Sequence, residues 1–216
     1  MSRALNGAWK EDYAHEFLNV GSTFWHGVDN EGSPTLWFRI ELNRFDDLQV
    51  ERRMKYCTMV IQGAIDAMPP DVHDLNFVVL MDDFKLSEVA KHPRLTPAFV
   101  KMFMKCCPDR LKRAFMVTGV AGRLFFNVVK AMAPKNLVDK ISVIDSREEC
   151  VPMLIQSGIL DSEESVPTFL GGTAVVVDAA MDAARQNFPL MIANIRDEMS
   201  KEKVVAADAV LNTVQA

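Results

Sequence analysis

Residues 106–144, CCPDRLKRAFMVTGVAGRLFFNVVKAMAPKNLVDKISVI, constrain the fold more tightly than any other stretch of the chain. Pro108 ends a helix, because its ring nitrogen carries no proton to continue one. Residues 114–118 then form a short buried strand, about 123–133 a very apolar helix, and 140–144 a second strand. Two parallel strands need a connection of this length, which is right-handed and lays its helix on one face of the sheet. At about 100° per residue, Leu124, Phe125, Val128, Val129 and Met132 form one stripe, while Phe126 falls near Lys130 and Arg123 on the polar side. Apolar groups on more than one face have two readings. Either the helix is buried from two sides, or it covers an apolar cavity and also meets a membrane.

The remaining chain repeats the strand and helix alternation. Strands are predicted at about 35–42, 76–82, 113–118 and 140–144, each separated by helical sequence, the pattern of a largely parallel sheet faced by helices. In the first, Leu36, Phe38 and Ile40 share what is read as the inner face, opposite Trp37, Arg39 and Glu41. Residues 47–68 give an amphipathic helix with Val50, Met54, Cys57, Ile61, Ala64 and Met68 in its stripe, ended by Pro69-Pro70. The nearly continuous apolar run 77–81 fits a strand buried on both faces. A helical turn is expected at 86–89, a helix from Thr96-Pro97 through Cys107, and a helix capped by Ser146 and stopped by Gly158. Leu5, Trp9, Tyr13 and Phe17 would lie on one face of an N-terminal helix. Three further helical patterns, 175–186, 190–199 and 204–214, make a C-terminal tail that either wraps the domain or mediates self-association.

Composition removes several classes of function. With 216 residues and 49% hydrophobic content the chain can bury a sizeable single core. A net charge of −5 argues against a chain-wide electrostatic footprint for nucleic acid. No apolar run reaches the roughly 18 residues that span a bilayer, and the N-terminus lacks the apolar core of a secretory signal, which places the expected location in the cytoplasm. Cys57, Cys106, Cys107 and Cys150 include no CxxC and read as reduced thiols. His15, His26, His73 and His92 are scattered, so no metal site is expected. Asp82-Asp83 ends a strand with no accompanying nucleophile, and reads as a cap or solvated turn rather than an acid and base pair. Gly171-Gly172 has neither phosphate-loop spacing and marks a tight turn. Nothing in the chain reads as an enzyme, and no cofactor is expected.

Five segments, in order, resemble the CRAL-TRIO lipid-binding family over about residues 25–173. They are Gly27-Val28-Asp29 with Gly32-Ser33-Pro34, then Met81-Asp82 with Ser87, then Pro108-Asp109-Arg110-Leu111, then the Phe-rich helix with Lys130 and Pro134 leading to Asp139-Lys140-Ile141, and Val166-Pro167-Thr168-Phe169-Leu170-Gly171-Gly172. The resemblance implies an α/β fold with a largely parallel sheet as the floor of an apolar pocket and a gate helix over it. Residues 1–24 would be a short helical segment, where larger members carry a helical module, and 174–216 the tail.

The family's function implies a non-catalytic carrier that holds a phospholipid or other hydrophobic ligand and exchanges it during transient membrane contact. Carried over by position, Phe77, Val79, Met81, Ile141 and Val143 face the ligand. Leu124, Phe125, Phe126 and Val129 form the gate, with Phe126 entering the membrane. Asp109, Arg110 and Lys140 match the headgroup residues of phosphatidylinositol-binding members, but Leu137 stands where those members have Thr, a lost contact worth about 1 kcal/mol. Phe77 and Val79 replace the hydroxyl residues of phosphatidylcholine-binding members, which disfavours that lipid. The alternatives are a regulatory module of the small-GTPase-binding type, whose pocket has shrunk around bulky Phe77, and a carrier of a retinoid- or tocopherol-like ligand.

Overall fold

The computed structural model describes residues 20–42, 47–83, 87, 95–106 and 109–177. The predicted N-terminal helix of Leu5, Trp9, Tyr13 and Phe17, all of the 86–89 turn but Ser87, Cys107, and the tail beyond 177 lie outside them. Five strands, β1 (Thr23–Val28), β2 (Pro34–Arg39), β3 (Leu75–Met81), β4 (Leu111–Thr118) and β5 (Ile141–Ile144), form one sheet in the order β1-β2-β3-β4-β5. β1 pairs antiparallel with β2, and all other pairs are parallel. The helices are α1 (Asp47–Asp66), α2 (Leu95–Cys106), α3 (Val120–Met132), the short α4 (Lys135–Val138) and α5 (Arg147–Gln156). Among the described residues no helix is long and apolar enough to cross a membrane.

The strand order explains the layers. From β2 to β5 the chain always moves one place in the same direction, so crossovers of one hand put every connecting helix on the same face. On that face the α1 residue Tyr56 donates its hydroxyl to the Thr23 carbonyl at 2.8 Å. Phe99 and Phe103 of α2 pack on Phe38 and Phe77, and Phe125 of α3 joins through Phe99. The opposite face needs a different cover. It comes from α5 and a 3₁₀ turn at Thr168–Leu170, with Phe169 standing edge-on to Trp37 at 5.4 Å.

Burial on both faces is complete at β3, all seven residues of which are buried, as the apolar run predicts. β2 departs from the one-sided reading. Trp37 is as buried as Leu36 and Phe38, because the segment after β5 covers its side, and its indole donates to the His26 carbonyl at 3.1 Å. The strand stops at Arg39, and Ile40–Leu42 is a 3₁₀ turn. β1 is a strand that periodicity did not predict. The aromatic and β-branched TFWHGV run followed by the Gly32-Ser33-Pro34 turn was its available signal. Ser146 caps α5, accepting from the Glu149 amide at 3.2 Å, and Gly158 follows the helix at φ 73°. Gly172 is required by contact, since a Cβ there would lie 2.1 Å from the Val166 carbonyl oxygen.

At the other end of the sheet, the β1–β2 connection is closed around one carboxylate. Asp29 accepts from Lys112 Nζ at 2.6 Å, from Asn76 at 2.9 Å, and from the Glu31 and Ser33 amides at 3.0 Å each. Burial alone would raise its pKa, but donation from Lys112, Asn76 and the two amides outweighs it and holds the carboxyl below its ordinary 3.8. A depressed folded-state pKa adds stability above the ordinary value, lost as pH falls through the folded value. Asp29→Asn should therefore be less stable than the wild type at neutral pH and lose less stability between about pH 4 and pH 2, as followed by circular dichroism during acid titration. Phe77 is fully buried, with its ring centroid 4.3 Å from that of Phe103, so its truncation would leave a large cavity. Phe77→Ala should lower the unfolding free energy in urea by about 3–5 kcal/mol.

Candidate ligand-binding face

Register places four of the five predicted floor residues in two rows on the helix-bearing face, with Met81 in a third beside Thr118. One row is Leu36, Phe77, Ala114 and Ile141, and the next is Phe38, Val79, Met116 and Val143. Phe77, Val79 and Met81 are buried, whereas Ile141 is half-buried and Val143 is exposed. The gradient has a structural cause. β5 is the edge strand and α3 packs on β4 and α2, so the last apolar row is left partly open. Over the centre of the sheet, Phe38, Phe77, Phe99, Phe103 and Phe125 form a continuous aromatic cluster, with neighbouring ring centroids 4.3 to 6.4 Å apart.

α3, the expected gate helix, is rotated from its predicted setting. Phe125, Phe126 and Val129 are buried, while Leu124, Val128 and Met132 are 45%, 41% and 39% exposed. Phe126 is therefore not the outward aromatic that the periodicity suggested. It faces inward, and the Lys130 ammonium sits 4.9 Å from its ring centroid. Gly122 sets this rotation. A Cβ at that position would lie 2.7 Å from Thr118 Cβ, so this is where α3 touches β4, and Phe125, Phe126 and Val129 follow at +3, +4 and +7 on the same side. The glycine was the sequence signal that a stripe of large residues obscures. The exposed apolar set, at steps of four, is Leu124, Val128 and Met132.

Two of the three headgroup candidates come together. Asp109 and Lys140 line a recess of about 120 Å³ with Met104, Leu111, Pro134, Asn136 and Leu137. Lys140 Nζ donates to the Leu111 carbonyl, which holds it at the rim. Arg110 points elsewhere, toward the His73 carbonyl at 3.5 Å, and is not part of the lining. Ligand pockets commonly span about 300–1,000 Å³, so this recess accommodates a few polar atoms and not an acyl chain.

A further group carries a role that the sequence did not suggest. Arg147 Nε and NH2 donate to Asp82 at 2.6 and 3.1 Å, NH1 donates to the Phe169 carbonyl at 2.7 Å, and NH2 reaches Asp83 at 3.3 Å. One guanidinium thus joins the end of β3, the start of α5 and the Thr168–Leu170 turn. Asp82 is not a merely solvated turn residue; it is the acceptor of a bidentate ion pair. Its charge adds to burial, the larger cause, in pushing the nearby Cys150 thiol up to about 12.

Fold and site together define an α/β domain in which an apolar helix roofs an apolar sheet floor. The CRAL/TRIO domain family matches residues 18–172, and the chain belongs to that family of lipid- and hydrophobic-ligand-binding domains. No curated relative matches the sequence. Among solved structures, 34 chains match. One is described as the crystal structure of Sfh5, with a TM-score of 0.54 and 12% identity over 70% of this chain and 55% of that one. Likeness at this identity concerns the fold alone, and the chain spans about half the length of that relative. Cys57 and Cys150 are both buried thiols outside any disulfide. In the native protein both should resist iodoacetamide at pH 8, roughly at the level of fully buried thiols, and react on unfolding in urea, as read by peptide mass spectrometry.

Proposed function

We propose that this chain is a non-catalytic cytosolic carrier that takes up a phospholipid and exchanges it during transient contact with membranes. The observation that carries this reading is the meeting of an open apolar floor at Ile141 and Val143 with a helix that exposes Leu124, Val128 and Met132. Moving an acyl chain from water onto such a surface is favourable by roughly 0.8 kcal/mol per buried CH₂, so a carrier that covers two chains competes with a bilayer. Phosphatidylinositol suits the recess: Lys140 would meet the phosphate and Asp109 would accept from ring hydroxyls. Leu137 in the same lining withholds the hydroxyl contact, a cost of about 1 kcal/mol.

A second reading rests on the aromatic cluster. Phe77 and its neighbours fill the space above the centre of the floor, which favours a protein-interaction module with a reduced pocket. The two readings separate by direct measurement. Native mass spectrometry of the protein purified from cells, followed by extraction, should find one phospholipid per chain. Lys140→Glu should lower its retention about tenfold while leaving a neutral hydrophobic ligand unaffected, and Leu124→Glu should slow exchange with vesicles about tenfold without changing stability by more than about 0.5 kcal/mol. An empty protein that takes up nothing from mixed vesicles would sink the carrier reading in favour of the interaction module.

A further inference from the structure

α3 is bounded by extended backbone at both ends, at Gly119 (φ −78°, ψ −166°) and at Ala133 (φ −93°, ψ 148°), so it is a separate rod between two breaks. Its inner face is held by packing. Its first turn is also held by an ion pair, from Arg123 to Asp145, the residue that follows β5. This pair spans the sheet edge where the floor residue Val143 is exposed.

Two features set this pair apart from the tie at Arg147. The Arg147 and Asp82 side chains are 22% and 23% exposed and bidentate, whereas those of Arg123 and Asp145 are 57% and 58% exposed. Exposed pairs contribute little and are readily exchanged for other counterions. Arg123 also adjoins Leu124, the first residue of the exposed apolar stripe, so a surface that receives the stripe meets the guanidinium as well. The charge pattern indicates the sign of that surface. Residues 120–138 contain Arg123, Lys130 and Lys135 and no acidic residue, within a chain of net charge −5. An anionic lipid surface complements this helix, whose net charge is opposite in sign to that of the whole chain.

We propose that the Arg123–Asp145 pair is a latch on α3 which anionic headgroups open by taking Arg123 from Asp145. The inference rests on the carrier reading and deepens it, by assigning a control on when the floor is uncovered. Water and neutral headgroups leave the pair closed. At an anionic surface the phosphate or carboxylate groups compete for the guanidinium while Leu124, Val128 and Met132 enter the acyl boundary, and the same residues that dock the helix release it.

The test uses the full chain with Asp145→Asn, Arg123→Gln, the exchanged pair Arg123→Asp/Asp145→Arg, and Lys101→Gln as a control on an exposed lysine of α2. Hydrogen exchange of the α3 amides is followed without lipid, and transfer of a fluorescent phospholipid is followed to vesicles of phosphatidylcholine with and without phosphatidylserine. Both single latch variants should speed α3 amide exchange about two- to fivefold. Asp145→Asn should speed transfer to neutral vesicles by a similar factor and reduce the advantage of phosphatidylserine. The exchanged pair should return amide exchange to the wild-type rate, and Lys101→Gln should change neither rate. Wild-type amide exchange in both single variants overturns the latch even where the protein carries lipid. Faster amide exchange in a protein that takes up no lipid overturns the carrier reading instead, and release by headgroups falls with it.

Discussion

The close approach of α3 to the sheet at Gly122, on Thr118, decides how the rest of the domain presents itself. A side chain there would collide with β4, so the helix descends onto the sheet on that side and no other. Phe125, Phe126 and Val129 are drawn into the core, and Leu124, Val128 and Met132 are left outside. One missing Cβ therefore decides which three apolar residues turn into the core and which three remain for a surface. Burial of the inner set is worth roughly 1.5–3 kcal/mol per large side chain, enough to hold the rotation against the exposure of the other three.

The order of the strands imposes a second constraint. A sheet that advances steadily by right-handed crossovers stacks its helices on one face and leaves the other bare. Here the bare face is covered by the chain that follows β5, and its attachment is concentrated in Arg147 and Phe169. The guanidinium is matched by the Asp82 carboxylate and the Phe169 carbonyl, while the Phe169 ring fills the space against Trp37 and Phe24. Polar direction and apolar filling thus come from the same turn. The glycines that close the family motif fit this role, because Gly171 takes a left-handed φ of 90° and Gly172 passes against the Val166 backbone.

The two charged ties at the C-terminal edge of the sheet have different physical characters. Arg147 and Asp82 are partly shielded and doubly hydrogen-bonded, which suits a permanent joint. Arg123 and Asp145 lie in water, where a competing anion has access to both. Between them lies the start of the roofing helix.

Much of the fold was legible in order of residues alone. The apolar run at 77–81, the Thr118-to-Ile144 crossover, the Ser146 cap and the Gly158 stop are local patterns, and local hydrogen bonding and periodicity are sufficient to specify them. The floor candidates Phe77, Val79 and Met81 came from the family resemblance, and strand alternation puts the three on one face of β3. Periodicity specifies a helix only up to rotation about its axis, however, so the turning of Phe126 inward was decided by a contact between α3 and β4. Register and approach likewise decided that Asp109 and Lys140 line one recess while Arg110 turns to His73. The Arg147–Asp82 pair joins residues 65 positions apart, a separation at which no sequence spacing predicts contact and only the closed sheet brings the charges together.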